Sequence, residues 1–262
     1  KQGDQMKAEF VSTVSHELRT PLTSLSGALG LVCGGALGPL TDQAKAMLDI
    51  AYKNSQRLTH LINDLLDMEK IAAGKMRFEL EVLEIMPLVE QAIESTRDYA
   101  QPYQVNLVLQ ERADGVRVRV DARRLQQVLS NFLSNAVKFS PQGAQVEVRV
   151  RQGQGVVRVE VVDHGAGIPA EFRNRIFQKF SQADSSDTRQ KGGSGLGLAI
   201  SKELMERMHG KVGFESQQGQ GASFFLELPV RTEQTLSPEV AGLEISGAAR
   251  MLVVEDDPDI AR

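Results

Sequence analysis

The stretch TVSHELRTPL, Thr13 to Leu22, sets one of the chain's four histidines, His16, beside an acid, Glu17, with Thr20 and Pro21 one turn on. An imidazole of ordinary pKa, about 6.5, is largely neutral near pH 7 and can act as a nucleophile. Far along the chain, Asn131, Asn135 and Lys138 stand four and three apart, so a helix aligns them on one side. Asparagine is a poor helix former, and two in one stripe ask for a reason. A solvated polar face is the plain reading. The chemical one is amide oxygens for a hard cation such as Mg²⁺, with a lysine for phosphate. VEVVDHGAGIP then gives Asp163, Gly165 and Gly167, a tight glycine turn after an acid, which is ordinary turn chemistry or a close approach to a ligand. GGSGLGLAI, from Gly192 to Ile200, runs Gly193, Gly195 and Gly197 into a helix start, where free N–H groups suit an anion. It lacks the Gly-Lys-Ser/Thr of a P-loop, and no strand leads straight into it as in a dinucleotide-binding turn.

These residues need elements to hold them. Val11, Val14, Leu18, Leu22, Leu25 and Leu29 recur at helical spacing, which predicts an amphipathic helix over about 6–29. His16 lies roughly 160° from the centre of that stripe at about 100° per residue, so it is expected to face solvent, where a lone histidine is most often an ordinary surface residue. Pro21 removes a helix hydrogen bond and crowds the Glu17 carbonyl, at a cost of about 3 kcal/mol. Residues 30–39 read as a loop. Thr41 or Asp42 can cap a second helix that runs to about Ala73 and closes at Gly74. Two long helices with a short connection make an antiparallel hairpin, and pairing two copies into a four-helix bundle covers the remaining apolar stripe. The segment 72–75, with Gly74, is expected to be a short flexible joint.

From about Arg77 the rhythm changes. MRFELEVL, VNLVLQE, VRVRV, QVEVRVR, VVRVEVVD, KVGFES and ASFFLELP read as strands. Helices are expected from Pro87 to about Ala100, from an Asp121 cap through Phe139, and from about Gly195 to Met208. The fold class is α+β: a helical hairpin, then a sheet with helices on one face.

Composition bounds the function. The chain of 262 residues is 41% hydrophobic, with no Trp and a net charge of −4. No Lys/Arg block stands out, and aromatics are few, which argues against a nucleic-acid binder. Cys33 is the only cysteine, which excludes an internal disulfide or a Cys-cluster metal site and fits a reducing compartment. No apolar run reaches the roughly 18 residues of a membrane span. No signal peptide is visible, and both ends read as cuts from a longer protein.

In their order, His-Glu-Leu-Arg-Thr-Pro, the asparagine stripe, D-x-G-x-G, FQKF and G-x-G-L-G-L resemble the sensor histidine kinases of two-component signalling, over about residues 5–230. The resemblance implies a dimerisation and phosphoacceptor domain over 1–74 and, over 75–230, a catalytic ATP-binding domain of the gyrase and Hsp90 type, an α/β sandwich. It implies that His16 receives the γ-phosphoryl group, with Glu17 as acid/base partner. Asn131 and Asn135 are then the nucleotide-box asparagines, Asn135 being the Mg²⁺ ligand. Lys138 contacts phosphate, and Asp163 accepts from the adenine amino group in a pocket shaped by Gly165 and Gly167. Phe177 and Phe180 position a lid over Ser181–Gly193, where Arg189 and Lys191 reach toward phosphate; Gly193, Gly195 and Gly197 receive it. Core packing is the competing reading of the two phenylalanines, and solvated surface that of Arg189 and Lys191. In related hydrolytic ATPases a glutamate activates water where Asn131 stands, and an amide cannot act as that base.

After a linker over 231–249, MLVVEDDPDI resembles the first strand of a receiver domain, over 250–262, with Asp256 and Asp257 as its acidic pair. The resemblance therefore implies a hybrid kinase. Its cofactors are ATP and Mg²⁺. Its partners are a second copy of the chain and receiver domains in cis and in trans, with no nucleic acid and no membrane contact in this fragment. The expected location is cytoplasmic, within a parent that the inner membrane can anchor. Thr20, four residues after His16, matches the residue that orients water in a phosphatase reaction on the partner. The rival class is a degenerate kinase acting as a dimeric scaffold; intact His16, Asn135 and Asp163 speak against it.

Overall fold

The computed structural model describes residues 2–181 and 194–231, and of residues 2–13, 15 and 16 the backbone alone. Helix α1 (Gln2–Cys33) runs unbroken through Pro21. It extends past the expected end at residue 29 because Leu31, Val32 and Cys33 continue the helix before Gly35 takes φ +86°. That conformation is open to glycine at little cost. Helix α2 (Asp42–Ala72) starts where expected: Thr41 Oγ1 accepts from the Ala44 N–H at 3.3 Å. It ends in a two-bond glycine cap, with Gly74 at φ +65°, Gly74 N–H on Ile71 O at 3.0 Å and Lys75 N–H on Lys70 O at 2.9 Å. The expected flexible joint is thus a hydrogen-bonded helix terminus.

The helices are antiparallel. Ser26 Oγ donates to Ser55 Oγ at 2.9 Å, Arg19 Nε to Asn63 Oδ1 at 3.2 Å, and Gly30 lies under the Tyr52 ring. Among the described residues, Leu22, Ile62 and Leu66 form the buried cluster within the hairpin. The apolar stripe of α1 is divided: Leu22 faces α2, while Leu18 and Leu25 remain 46% and 55% exposed.

The second region contains β1 (Glu81–Glu84), α3 (Ile85–Ala100), β2 (Asn106–Glu111), β3 (Arg117–Val120), α4 (Ala122–Phe139), β4 (Gln145–Gly153), β5 (Val156–Asp163), a short α5 (Ala170–Arg173), α6 (Gly197–Arg207), β6 (Lys211–Ser216) and β7 (Ala222–Pro229). β1 pairs with β3; the other five strands form a sheet ordered β2-β4-β5-β7-β6, with β2 parallel to β4 and the remaining pairs antiparallel. MRFELEVL is strand only from Glu81. Its partner β3 is four residues long, and the Glu79 N–H turns instead to Asp121 Oδ2 at 3.0 Å. Asp121 Oδ1 caps α4 through the Arg124 N–H at 3.0 Å, so one carboxylate fixes both a helix start and the approach to β1.

Alternation in β4, β5 and β7 sends Val148, Val159 and Leu226 into the core, against Leu125, Leu129 and Phe132 of α4. The opposite face is polar and paired: Arg158 meets Glu215 at 2.6 Å and lies 3.5 Å over the Phe225 ring. Met68 and Ile71 of α2 belong to the same buried cluster as Phe132. The end of the hairpin is therefore packed into the core of the second region.

Candidate active site

The site is built at one end of the sheet, where α4, the end of β5 and the start of α6 meet. Asp163 ends β5 and is 5% exposed. Its Oδ1 accepts from the Gly165 N–H at 2.9 Å and the Ala222 N–H at 3.3 Å; among the described residues, no hydrogen bond reaches Oδ2. Burial pushes this carboxyl above its ordinary pKa, against those two N–H groups and His164, which act to lower it. A buried carboxylate with one oxygen anchored by backbone holds the other in a fixed direction as an acceptor.

The glycines around Asp163 are dictated by contact. A Cβ on Gly165 would lie 2.4 Å from the Phe139 carbonyl oxygen, and one on Gly167, already at φ +72°, 2.3 Å from that of Gln217. The sequence reading missed Gly221. It has φ +86°, and a Cβ there would lie 2.0 Å from the Asp163 carbonyl oxygen. Its signal was GQGAS before a strand, which reads as an ordinary turn.

Asn131, Asn135 and Lys138 share one half-buried side of α4, as their spacing requires. Asn131 Nδ2 donates to Ser201 Oγ at 2.9 Å, and Asn135 Nδ2 to Asn131 Oδ1 at 3.4 Å. These bonds orient both amides and leave the Asn135 oxygen as the acceptor at the end of the chain. A Cβ on Gly197, the first residue of α6, would lie 2.5 Å from Asn131 Oδ1. This contact brings the glycine run and the asparagine stripe together, with no side chain capping the α6 start. Ser201, 2% exposed, is a second residue the sequence reading missed; a serine four residues into a helix carries no signal until Asn131 is beside it. The Lys138 ammonium stands 4.9 Å from the Phe139 ring centre.

The two phenylalanines part company. Phe177 packs on the core, 6.0 Å from Phe214 between ring centres. Phe180 is 67% exposed at φ +60°, and Gly195, at φ +66°, lies against its backbone. Gly193, Arg189 and Lys191 lie outside the described residues, as do Asp256 and Asp257. His16 lies within α1, but its side chain is outside the description. Glu17 and Thr20 flank it and are exposed. Among the described residues no cluster of three or more His, Cys, Asp or Glu could hold a metal, and none is long and apolar enough, as a helix, to cross a membrane.

Two family models match the chain: the His Kinase A (phospho-acceptor) domain over residues 6–74, and the histidine kinase-, DNA gyrase B- and HSP90-like ATPase over 120–232. Circadian input-output histidine kinase CikA of Synechococcus elongatus is 37% identical over 97% of this chain and 34% of its own length. Sensor protein EvgS of Escherichia coli O157:H7 is 33% identical over 96% of this chain and 22% of its own. Autoinducer 2 sensor kinase/phosphatase LuxQ of Vibrio parahaemolyticus is 32% identical over 97% and 31%. The chain thus spans between about a fifth and a third of the length of these relatives. The crystal structure of full-length ShkA in complex with AMPPNP superposes with a TM-score of 0.69 at 32% identity, covering 86% of this chain and 46% of that one.

Proposed function

The chain belongs to the histidine kinases, and on that premise we propose that it transfers the γ-phosphoryl group of ATP to His16 and then to an aspartate of a response-regulator receiver domain, in cis and in trans. Residues 1–74 are the dimerisation and phosphoacceptor part, and 75–230 the ATP-binding part. The observation that carries the reading is the meeting of Asn131 with Gly197, which joins the asparagine stripe to the glycine loop beside buried Asp163.

Each group has a task. Asp163 Oδ2 accepts from the adenine amino group, in a pocket that Gly165, Gly167 and Gly221 keep open to a planar base. The N–H groups at Gly195–Gly197 and the Lys138 ammonium meet the phosphates. Mg²⁺ fits the donor set: a single amide oxygen, from Asn135, suits a cation that takes most of its ligands from phosphate and water. Bound there, it would neutralise charge between the phosphates. Phosphoryl transfer then depends on positioning and on charge neutralisation. Asn131 cannot deprotonate water, which favours a side-chain acceptor over hydrolysis. The neutral imidazole of His16 is that nucleophile, with Glu17 one residue on to take or return its proton. Use of ATP places the site on the cytoplasmic side.

A second copy completes the hairpin. Val14, Leu18 and Leu25 of α1 and Met47, Ile50 and Leu58 of α2 are all exposed apolar residues, and a symmetric partner covers both stripes at once. Phosphatase action on the receiver is a second reading. It is favoured by the exposed Thr20 one turn from His16 and by the kinase/phosphatase name of LuxQ. Incubation with γ-labelled ATP tests the kinase reading: label on the protein means kinase, free phosphate alone means hydrolysis, and neither means a scaffold.

A further inference from the structure

The end of α2 holds the ATP-binding region by hydrogen bonds as well as by packing. Ser194 Oγ, at the entry to the glycine loop, donates to Asp64 Oδ2 at 2.8 Å and accepts from the Leu196 N–H at 3.1 Å. Asp67 Oδ2 accepts from Gln127 Nε2 at 2.8 Å, with Arg124 Nη1 at 3.6 Å. Arg207 Nη2, from the last residue of α6, donates to the Ile71 carbonyl at 2.9 Å. The side-chain pairs Ser26–Ser55 and Arg19–Asn63 fix the register of the hairpin. Carried along α1, that register sets His16 level with about Leu66, between the two aspartates. The docking contacts are therefore at the height of His16 but on the neighbouring helix, α2.

Ser194 links this contact to the phosphate end of the site. Its hydroxyl is committed in both directions, to a hairpin carboxylate and to a loop N–H. An anion bound at Leu196 or Gly197 would stand about two hydrogen bonds from the Asp64 carboxylate. At such a range, in a half-buried setting, like charges repel with little screening. Burial already pushes the Asp64 carboxyl above its ordinary value, against the Ser194 hydrogen bond and nearby His60, with Asp67 adding to the rise. That carboxylate is thus poorly solvated before any phosphate arrives.

We propose that Asp64 is a latch: it and the triphosphate of the nucleotide compete for the glycine loop, so that Asp64 holds the ATP-binding region docked on α2 and phosphate charge at Gly195–Gly197 releases it toward His16. The inference rests on nucleotide binding at this loop. Linkage makes the competition reciprocal: docking weakens nucleotide binding by the same factor by which nucleotide weakens docking, so loss of the latch should tighten the nucleotide.

Asp64→Asn removes the charge and keeps an oxygen to accept from Ser194. Calorimetry on the full chain, with AMPPNP and Mg²⁺, should show the variant binding about fivefold more tightly than wild type, the lower end of measured couplings between sites. The gain should be smaller for AMP, which brings less charge to the loop. Hydrogen exchange in residues 64–72 of the wild type should speed up when AMPPNP binds. Equal AMPPNP affinity in variant and wild type, or slower exchange in 64–72 on binding, overturns the latch and leaves the kinase reading intact. No AMPPNP binding to the wild type overturns both.

Discussion

The hairpin and the ATP-binding region are built of similar residues but finish differently. In the ATP-binding region, α4 buries Leu125, Val128, Leu129, Phe132 and Leu133 to 1% exposure or less, and the sheet's polar face is paired strand to strand. Among its described residues the hairpin buries a cluster of three side chains and leaves seven large apolar ones on its helices at 37–68% exposure. A surface that is polar and satisfied asks for nothing more. A surface with leucines in helical register on two helices is half of a core. The chemistry follows the same division. On the proposed function, the groups assigned to nucleotide sit in the region with the satisfied surface, and the proposed acceptor His16 sits on the element that needs a partner.

This contrast can be broken from either side. The largest effect is expected at the hairpin seam. Leu25→Glu puts a charge where a partner's apolar stripe should lie, and symmetry doubles it. Burying one leucine is worth about 1.5–3 kcal/mol, so the dimer should weaken at least about a hundredfold. Sedimentation should find monomers at micromolar concentration, with nucleotide affinity unchanged. An unaltered dimer would mean that the seam is not the interface.

On the other side, Asp163→Asn turns an acceptor into a donor facing the adenine amino group. Losing a charge-assisted hydrogen bond of about 1.5–3 kcal/mol lowers ATP affinity roughly ten- to a hundredfold. The Gly165 and Ala222 N–H groups still have an oxygen to meet, so the unfolding midpoint should hardly move. Unchanged affinity by calorimetry would remove Asp163 from the site.

The smallest effect sharpens the comparison. Ser201→Ala takes away the partner of Asn131 Nδ2 inside the satisfied region. The expected cost is about 1 kcal/mol, read as a fall of a few degrees in melting temperature and no more than about a fivefold weaker grip on AMPPNP. No change in either would mean that Asn131 is oriented without Ser201, by Asn135 and the Gly197 contact.

Much of this arrangement was legible in the sequence, for physical reasons. Helical spacing set α1, α2 and α4, and turn chemistry set Thr41, Gly74 and Asp121 as element ends, because those signals are local. The asparagine stripe stood out because asparagine is a poor helix former, whereas Asp163 before its glycines reads as ordinary turn chemistry and was marked only by the family resemblance. What escaped were contacts between distant segments. Strand β1 is shorter than the alternation of its stretch suggests, since β3 offers only four partners. Gly221, Ser201, Ser194 and Asp64 each look ordinary in their own stretch. They gain meaning only once the fold brings them to Asp163, Asn131 and the glycine loop. The division of the α1 stripe into inward Leu22 and exposed Leu18 and Leu25 was equally hidden, because a helical period reports a face and not what lies against it.

The central claim is that His16 takes the phosphoryl group from ATP bound in the other region. The direct measurement is the chemical stability of the labelled protein after incubation with γ-labelled ATP, in wild type and in His16→Gln. A phosphorylated imidazole loses its group in acid, where protonation of the ring makes it a good leaving group, and keeps it in alkali. The account predicts label that is acid-labile and alkali-stable in the wild type, and absent from His16→Gln although that variant still binds AMPPNP. Label that survives acid, or that persists in His16→Gln, would contradict it.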